Sequence, residues 1–339
     1  MLTSKKVKEF AKKAGADLVG IGLMERFEGI PKEMDPRYVF PEAKVIIGLA
    51  FRIPRGYLRG IEEGTHFYQY TGLGYANINE VVAPIVIRKV CCFLEDNGYE
   101  GVPFRKTEGR RTISDVMSER WIVWNASPEF HPPRVIPFVE PVSPDKPAPD
   151  VEFPFEIGAF ICGLGEIGWS KVFLTPEFGP RQRFAFVLTD APLEPDPIYE
   201  GPPLCDRCMS CVRECPVHAI SATESVKVKV AGRELEWGKL NVWACMYGHC
   251  GGVKEINPFL PKDAFKDIPD GDKIMSGEKI LSTWEEAMKI REIIEKFYPL
   301  ELVCGGRGCI RACMVHLEKQ GKLKNKFKEP FRKRKPWKL

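Results

Sequence analysis

The chain has 339 residues, 44% of them hydrophobic and 28% charged, with a formal net charge of +4. That is enough for one large or two modest cores, and the charge is too mild to mark a dedicated nucleic-acid binder. No apolar run approaches the ~20 residues of a membrane span, which argues against a transmembrane helix.

The opening stretch, MLTSKKVKEFAKKAGADLVGIG, reads as an amphipathic helix followed by a strand, with Val7, Phe10, Ala11 and Ala14 at helical spacing. It has no signal-peptide core, cleavage site or twin arginine, so a cytoplasmic protein is expected. DLVGIGL (17–23) and KVIIGLAF (44–51) read as buried strands. ANINEVVAPIVIRKVCCFLEDNG (76–98) reads as a long helix ending at a glycine stop, with Cys91 and Cys92 as small core residues. Helices and strands alternate, which predicts an α/β arrangement over the first ~195 residues.

Residues 126–156 hold nine prolines. Such a stretch is neither regular helix nor central strand, and its phenylalanines and valines suit a stiffened wall over an active site. Next come Gly163, Gly165 and Gly168 in the pattern G-x-G-x-x-G, with Asp190 22 residues beyond the last glycine. The pattern imitates a dinucleotide fingerprint. A full helix must follow those glycines to face a pyrophosphate, and TPEFGP breaks the chain too soon, so a nicotinamide cofactor is not expected.

Twelve cysteines are many for a reducing compartment, where they are more often metal-binding or catalytic than disulfide-bonded; nine of them follow residue 200. Residues 205–216, CDRCMSCVRECP, read C-x2-C-x2-C-x3-C-P. This is the run of a two-cluster ferredoxin: three thiolates wrap one [4Fe–4S] cubane and the fourth reaches a second. Zinc sites use paired C-x2-C halves instead. The second set is sought in CGGRGCIRACMVHLE (304–318), spaced C-x4-C-x3-C, where glycines are expected to let the backbone loop out and bring Cys304 in. Crossover then assigns Cys205, Cys208, Cys211 and Cys313 to one cluster. Cys215 and Cys309 go to the other, with two of Cys245, Cys250 and Cys304, of which Cys245 and Cys304 are preferred. His218, His249 and His316 lie near these cysteines and read as surface or core residues. The closing segment, KNKFKEPFRKRKPWKL (324–339), reads as a solvated basic tail.

The segment GLGEIGWSKVFLTPEFGPRQRFAFVLTDAPLEPDPI followed by CDRCMSCVRECP resembles the corrinoid-dependent iron–sulfur reductases, that is, the reductive dehalogenases and epoxyqueuosine reductases. TPEFGPR, and ELEWGKLNVWAC between the two cysteine sets, are closer to the dehalogenases. The resemblance covers roughly 150–320 and implies an α+β protein. Its nitroreductase-like α/β domain (1–198) would bind cobalamin base-off, and a ferredoxin-like domain (199–323) would carry two [4Fe–4S] clusters, ahead of the tail (324–339). It implies a corrinoid cobalt reduced to Co(I) by the clusters, with the protein supplying orientation and a proton donor. Carried over residue by residue, Asp150 becomes the candidate acid, Arg181 or Arg183 the supporting arginine, and Gly163, Gly165, Gly168 and Tyr75 the residues lining the corrinoid. The dehalogenase tyrosine has no counterpart in the corresponding region, which reads RWIVWNAS; Tyr68, Tyr70 and Tyr75, elsewhere in the chain, are the candidates to substitute for it. The Gly-Trp-Ile-Gly of the epoxyqueuosine reductases is here GEIGW.

The expected function is therefore a cytosolic cobalamin- and [4Fe–4S]-dependent reductase acting on a small molecule, supplied by an external donor such as ferredoxin or flavodoxin. The alternatives are an electron-transfer protein that reduces a partner's corrinoid, and a catabolic reductive dehalogenase. Neither a membrane nor a nucleic acid is expected as a partner.

Overall fold

The structure is a computed structural model and describes residues 2–105, 151, 153–281, 284–297 and 303–333. Asp150 and most of the proline-rich stretch lie outside the described residues.

Helix α1 (Ser4–Ala14) starts where the Thr3 hydroxyl accepts the Lys6 N–H, and it buries Val7 and Ala11. Strands β1 (Leu18–Leu23) and β2 (Val45–Arg52) follow. After the short α2 (Arg59–Glu63) the chain winds as a π-helix over Gln69–Ala76 and Ile78–Val82, then tightens into α3 (Ala83–Glu95). The helix expected over 76–98 thus begins earlier and ends slightly earlier, and its opening turns are π-helical, wider and underwound relative to an α-helix. π-Turns are uncommon and concentrate at functional sites.

Strand β3 (Gly101–Arg105) precedes the proline-rich stretch. Beyond it lie α4 (Phe155–Ile161), the two-residue strands β4 (Glu166–Ile167) and β5 (Phe173–Leu174), and β6 (Gln182–Thr189). The main sheet has the order β1-β2-β6-β3, and every pair in it is antiparallel. This corrects the α/β reading of the first part: every pair of neighbouring strands in the described sheet is antiparallel, and the class is α+β. The alternation of helix and strand is real: β2 and β3 both run antiparallel to the β6 between them and so share one sense, joined through α3, whereas β1–β2 and β3–β6 oppose one another.

The cysteine run follows, with the single turn α5 (Ser210–Arg213). A long hairpin, β7 (Ile220–Val230) and β8 (Arg233–Leu240), turns at Ala231 and Gly232, both at positive φ as a tight hairpin turn requires. It buries Val226, Val230 and Trp237 and leaves its charges in solvent. Then come α6 (Val242–His249), α7 (Gly271–Ser276), α8 (Trp284–Phe297), α9 (Val303–Arg307) and α10 (Cys309–Lys319). One continuous apolar cluster runs from Val7 and Ile47 under the sheet to Cys211, Cys304 and Met314 in the cysteine module. The two halves are therefore packed as one body.

The C-terminal segment is not a solvated tail as far as Lys333. The Arg55 guanidinium stacks 3.5 Å from the Phe327 ring centre and Arg59 stacks 4.2 Å from that of Phe331. Arg181 donates to Asn325 Oδ1 at 2.9 Å, and Arg332 donates to Glu63 Oε1 at 2.6 Å. The basic composition hid two phenylalanines spaced to catch these arginines, and they strap the segment across the N-terminal half.

Candidate metal centre

The cysteine run wraps a hollow. Arg207 and Met209, flanking Cys208, both take left-handed backbone angles (φ 54° and 57°) although neither is glycine. Left-handed residues at such spacing fold the loop tightly around Cys208, whose N–H donates to Asp206 Oδ1 at 3.2 Å. Cys205, Cys208 and Cys211 line that hollow together with Cys313, which arrives from α10, and with Gly168, Trp169 and Ser170 from the β4–β5 turn. Helices α5 and α10 pack against one another and set this meeting. Burial, then mutual repulsion with Cys205 and Cys208, pushes the Cys211 thiol up to about 11. Cys313 is pushed up further by burial and by Cys205, Cys211 and Cys208. Four crowded, partly buried thiols of this kind become stable thiolates once a metal balances their charge.

Sulfur here is met by donors that the cysteine spacing does not reveal. Trp169 N–H donates to Cys205 Sγ at 3.3 Å, and the Ser170 hydroxyl hydrogen-bonds Cys211. Glu166 Oε1 accepts the Cys205 N–H at 2.6 Å, fixing the start of the loop. All three residues belong to GEIGWS, whose glycines had drawn attention as a cofactor motif. His316 also lines the hollow, but its Nε2 lies 2.9 Å from Asp206 Oδ2. Asp206, Cys208 and His316 do bring ligand atoms within 4.8 Å of one another. Gln320 and Lys322 also approach the Asp206 carboxylate, which is the company of a paired carboxylate rather than of a metal ligand. Against the cost of burial, the hydrogen bonds from His316 and Gln320 hold Asp206 below the usual carboxylate range.

A second group of thiols lies deeper. Burial, followed by Cys309, Cys215 and Cys245, raises the Cys304 thiol; burial, followed by Cys215, Cys245 and Cys211, raises Cys309. Cys245 is reached by solvent yet closely surrounded by protein, and burial plus Cys215 pushes it up to about 12. Cys215 Sγ accepts the Ala219 N–H at 3.3 Å. Cys215, Cys245, Cys304 and Cys309 thus stand together, with Cys211 linking them to the first hollow. Cys250 lies buried at the end of α6.

The glycines of CGGRGC do not loop out. Gly305 and Gly306 lie in the helical turn α9, and their bare faces are occupied: a Cβ on Gly305 would sit 2.7 Å from the Tyr70 hydroxyl, and one on Gly306 would sit 2.6 Å from Ile61 Cδ1. A Cβ on Gly308 would meet Cys304 O at 2.9 Å and Pro216 Cδ at 3.3 Å. The extra spacing therefore serves close docking of the second cysteine set on α2, the π-helix and the first set.

Gly163 and Gly165 are likewise packing residues. Gly163 has φ +71° and its missing Cβ would lie 2.2 Å from the Pro197 carbonyl; Gly165 has φ +155°, and there the Leu174 carbonyl would be 2.0 Å away. Both faces are closed by protein backbone and offer no surface to a cofactor. Gly168 alone of the three borders the hollow. Asp190 accepts the Glu100 N–H at 2.9 Å, a bond that orders the turn before β3.

No family model matches the chain. Among curated proteins, a tetrachloroethene reductive dehalogenase of Sulfurospirillum multivorans is 35% identical over 109 residues, covering 29% of this chain and 22% of that protein. An epoxyqueuosine reductase of a Synechococcus species is 41% identical over 59 residues, covering 17% of this chain and 18% of that protein. Over these stretches the chain is similar to a reductive dehalogenase and to an epoxyqueuosine reductase. The match spans only about a fifth of the length of either of these two relatives. A solved catabolic reductive dehalogenase in complex with 3-bromo-4-hydroxybenzoic acid aligns with a TM-score of 0.49 at 16% identity, over 93% of this chain and 36% of that one. Both named relatives are reductases.

Of the two arginines that the likeness to these reductases singles out, Arg181 is committed elsewhere. It is 1% exposed, donates to Ile53 O at 2.8 Å and to Asn325 Oδ1 at 2.9 Å, and stacks on Phe327. Burial lowers its pKa to about 10. Arg183 sits differently: its Nε donates to Asn79 Oδ1 at 3.0 Å and its guanidinium lies 3.8 Å from the Tyr75 ring centre. The π-helix thus brings Tyr75 and Asn79 to the sheet face that carries Arg183. Asn79, 1% exposed, was not singled out from the sequence because a lone asparagine in a helical stretch carries no signal of its own. No helix among the described residues is long and apolar enough to cross a membrane.

Proposed function

We propose that the protein is a reductase in which electrons pass through two [4Fe–4S] clusters to a corrinoid, for reductive cleavage of a small-molecule substrate. One cluster is assigned to Cys205, Cys208, Cys211 and Cys313, the other to Cys215, Cys245, Cys304 and Cys309. The observation that carries this reading is the arrival of Cys313 at the hollow of the C-x2-C-x2-C run, while Cys215 turns away to a second thiol group. That crossover is the mark of a two-cluster module and not of a zinc site.

Each cluster would supply one electron at low potential, and the chain's own groups would set that potential. The N–H···S bonds from Trp169 and Ala219 and the hydrogen bond between Ser170 and Cys211 stabilise the more negative, reduced state. Arg183, held by Asn79 and Tyr75, is the proposed substrate-orienting cation. Asp150 is proposed as the acid on resemblance to these reductases.

A corrinoid would supply a strongly nucleophilic metal for the cleavage. Gly163 and Gly165 are closed by backbone and would not serve it; a second reading is a protein that passes electrons to a partner's corrinoid. An external carrier such as ferredoxin or flavodoxin would feed either. The test is anaerobic reconstitution with and without cobalamin, followed by metal analysis. About eight iron with cobalt supports the reductase; about eight iron without cobalt supports the electron-transfer reading; bound zinc in place of iron sinks both.

A further inference from the structure

The seam between α2 and the second cysteine set contains a buried charge network that neither the motif nor the family likeness assigns. Glu62, on α2, is fully buried (0% exposed). Its carboxylate receives Arg311 through both Nε and Nη2, the latter at 3.0 Å, and Arg307 Nη1 lies 3.2 Å from Oε1. Arg311 continues outward, its Nη1 donating to Glu214 Oε2 at 3.0 Å, and Lys333 Nζ donates to Glu214 Oε1 at 3.2 Å. Every member of the network on the cysteine side neighbours a thiol in sequence. Glu214 precedes Cys215, Arg307 lies between Cys304 and Cys309, and Arg311 lies between Cys309 and Cys313.

We infer that Glu62 is a positioning and tuning residue for the second cluster: it clamps the two arginines that carry Cys304, Cys309 and Cys313 into place, and it offsets their positive charge beside the site. The inference rests on the proposal that Cys215, Cys245, Cys304 and Cys309 hold a cluster.

The physical reason is a balance of signs. A reduced cluster carries one more negative charge than an oxidised one, so nearby guanidinium groups favour reduction and a nearby carboxylate opposes it. In the native seam two arginines face one fully buried glutamate, with Glu214 half-exposed at the outer end. Charges buried together are weakly screened, so removing one of them is felt at the cluster. A seam needed only for adhesion would be served as well by apolar side chains, since buried ion pairs seldom exceed a hydrophobic replacement in stability.

The test uses the full chain, reconstituted anaerobically, with redox titration followed by EPR. Glu62→Gln keeps the shape of the side chain and removes its charge. It is expected to retain both clusters and to raise the potential of the second by at least a tenfold shift in reduced-to-oxidised ratio, which is 59 mV for one electron. Arg307→Gln is expected to move it in the opposite direction, and the double variant to return it toward the wild-type value. Should Glu62→Gln fail to load iron, the Arg307→Gln shift alone decides. Wild-type protein with two clusters whose potentials neither variant moves would overturn the inference and leave the cluster reading standing. Wild-type protein with no second cluster would overturn both.

Discussion

Replacing Gly163 by alanine separates a packing glycine from a cofactor-binding one. Gly163 follows α4 at φ +71°, a conformation that costs an alanine about 1–2 kcal/mol. The added methyl would also lie 2.2 Å from the Pro197 carbonyl, a backbone atom that cannot rotate away. Overpacking of this kind typically adds about 1–3 kcal/mol. The sum is about 2–5 kcal/mol, large against the total stability of an ordinary domain and roughly 3–7 °C in melting temperature for a chain of this size. The assay is a thermal or urea melt of the anaerobically purified protein, with cobalamin binding measured on the same preparation. The expected result is a lowered midpoint whether or not cobalamin is present. A melt equal to wild type, with cobalamin binding abolished, would refute the packing argument and restore Gly163 to a cofactor site.

Cys245→Ser is expected to cost one cluster, taking the iron content from about eight to about four per chain, whereas Cys250→Ser leaves it at about eight; colorimetric iron and sulfide assays check both. Arg183→Met is expected to leave the melting temperature within about 1–2 °C of wild type and to remove substrate turnover. Arg181→Met is expected to destabilise by about 2–5 kcal/mol, because it strands the buried Ile53 carbonyl and releases Asn325; a pair of denaturation curves distinguishes the two arginines. Phe327→Ala together with Phe331→Ala is expected to free the C-terminal segment, read out as faster proteolytic trimming beyond residue 323 with cluster content unchanged.

The cysteine chemistry was legible because it is local. C-x2-C-x2-C-x3-C-P specifies its own loop, and the crossover partner had to lie in the other cysteine-rich stretch. Cys304 and Cys309 lie near Cys215 and Cys245 in space, a proximity that the sequence separation alone does not require. What escaped the sequence was mostly non-local. The antiparallel sheet could not be told from a parallel one, since β2 is buried on both faces and reads as a continuous apolar run in either case. The glycines of CGGRGC looked like loop residues because nothing in the sequence says that Tyr70 and Ile61 press on them. Glu62 looks like an ordinary surface glutamate in RGIEEG, and its burial depends on arginines roughly 250 positions away. The C-terminal tail was judged by its charge, although its two phenylalanines fix where it goes.

The central claim is two clusters on eight named cysteines feeding a corrinoid, and the most direct measurement is metal stoichiometry. The full chain is reconstituted anaerobically with iron, sulfide and cobalamin, then assayed for iron, sulfide and cobalt with EPR on the same sample. The account predicts about eight iron and eight sulfide per chain with about one cobalt, and interacting signals from two reduced [4Fe–4S] clusters. Four iron or fewer, or stoichiometric zinc, would contradict it at the clusters. Eight iron with no cobalt would contradict it at the acceptor and leave an electron-transfer protein in its place.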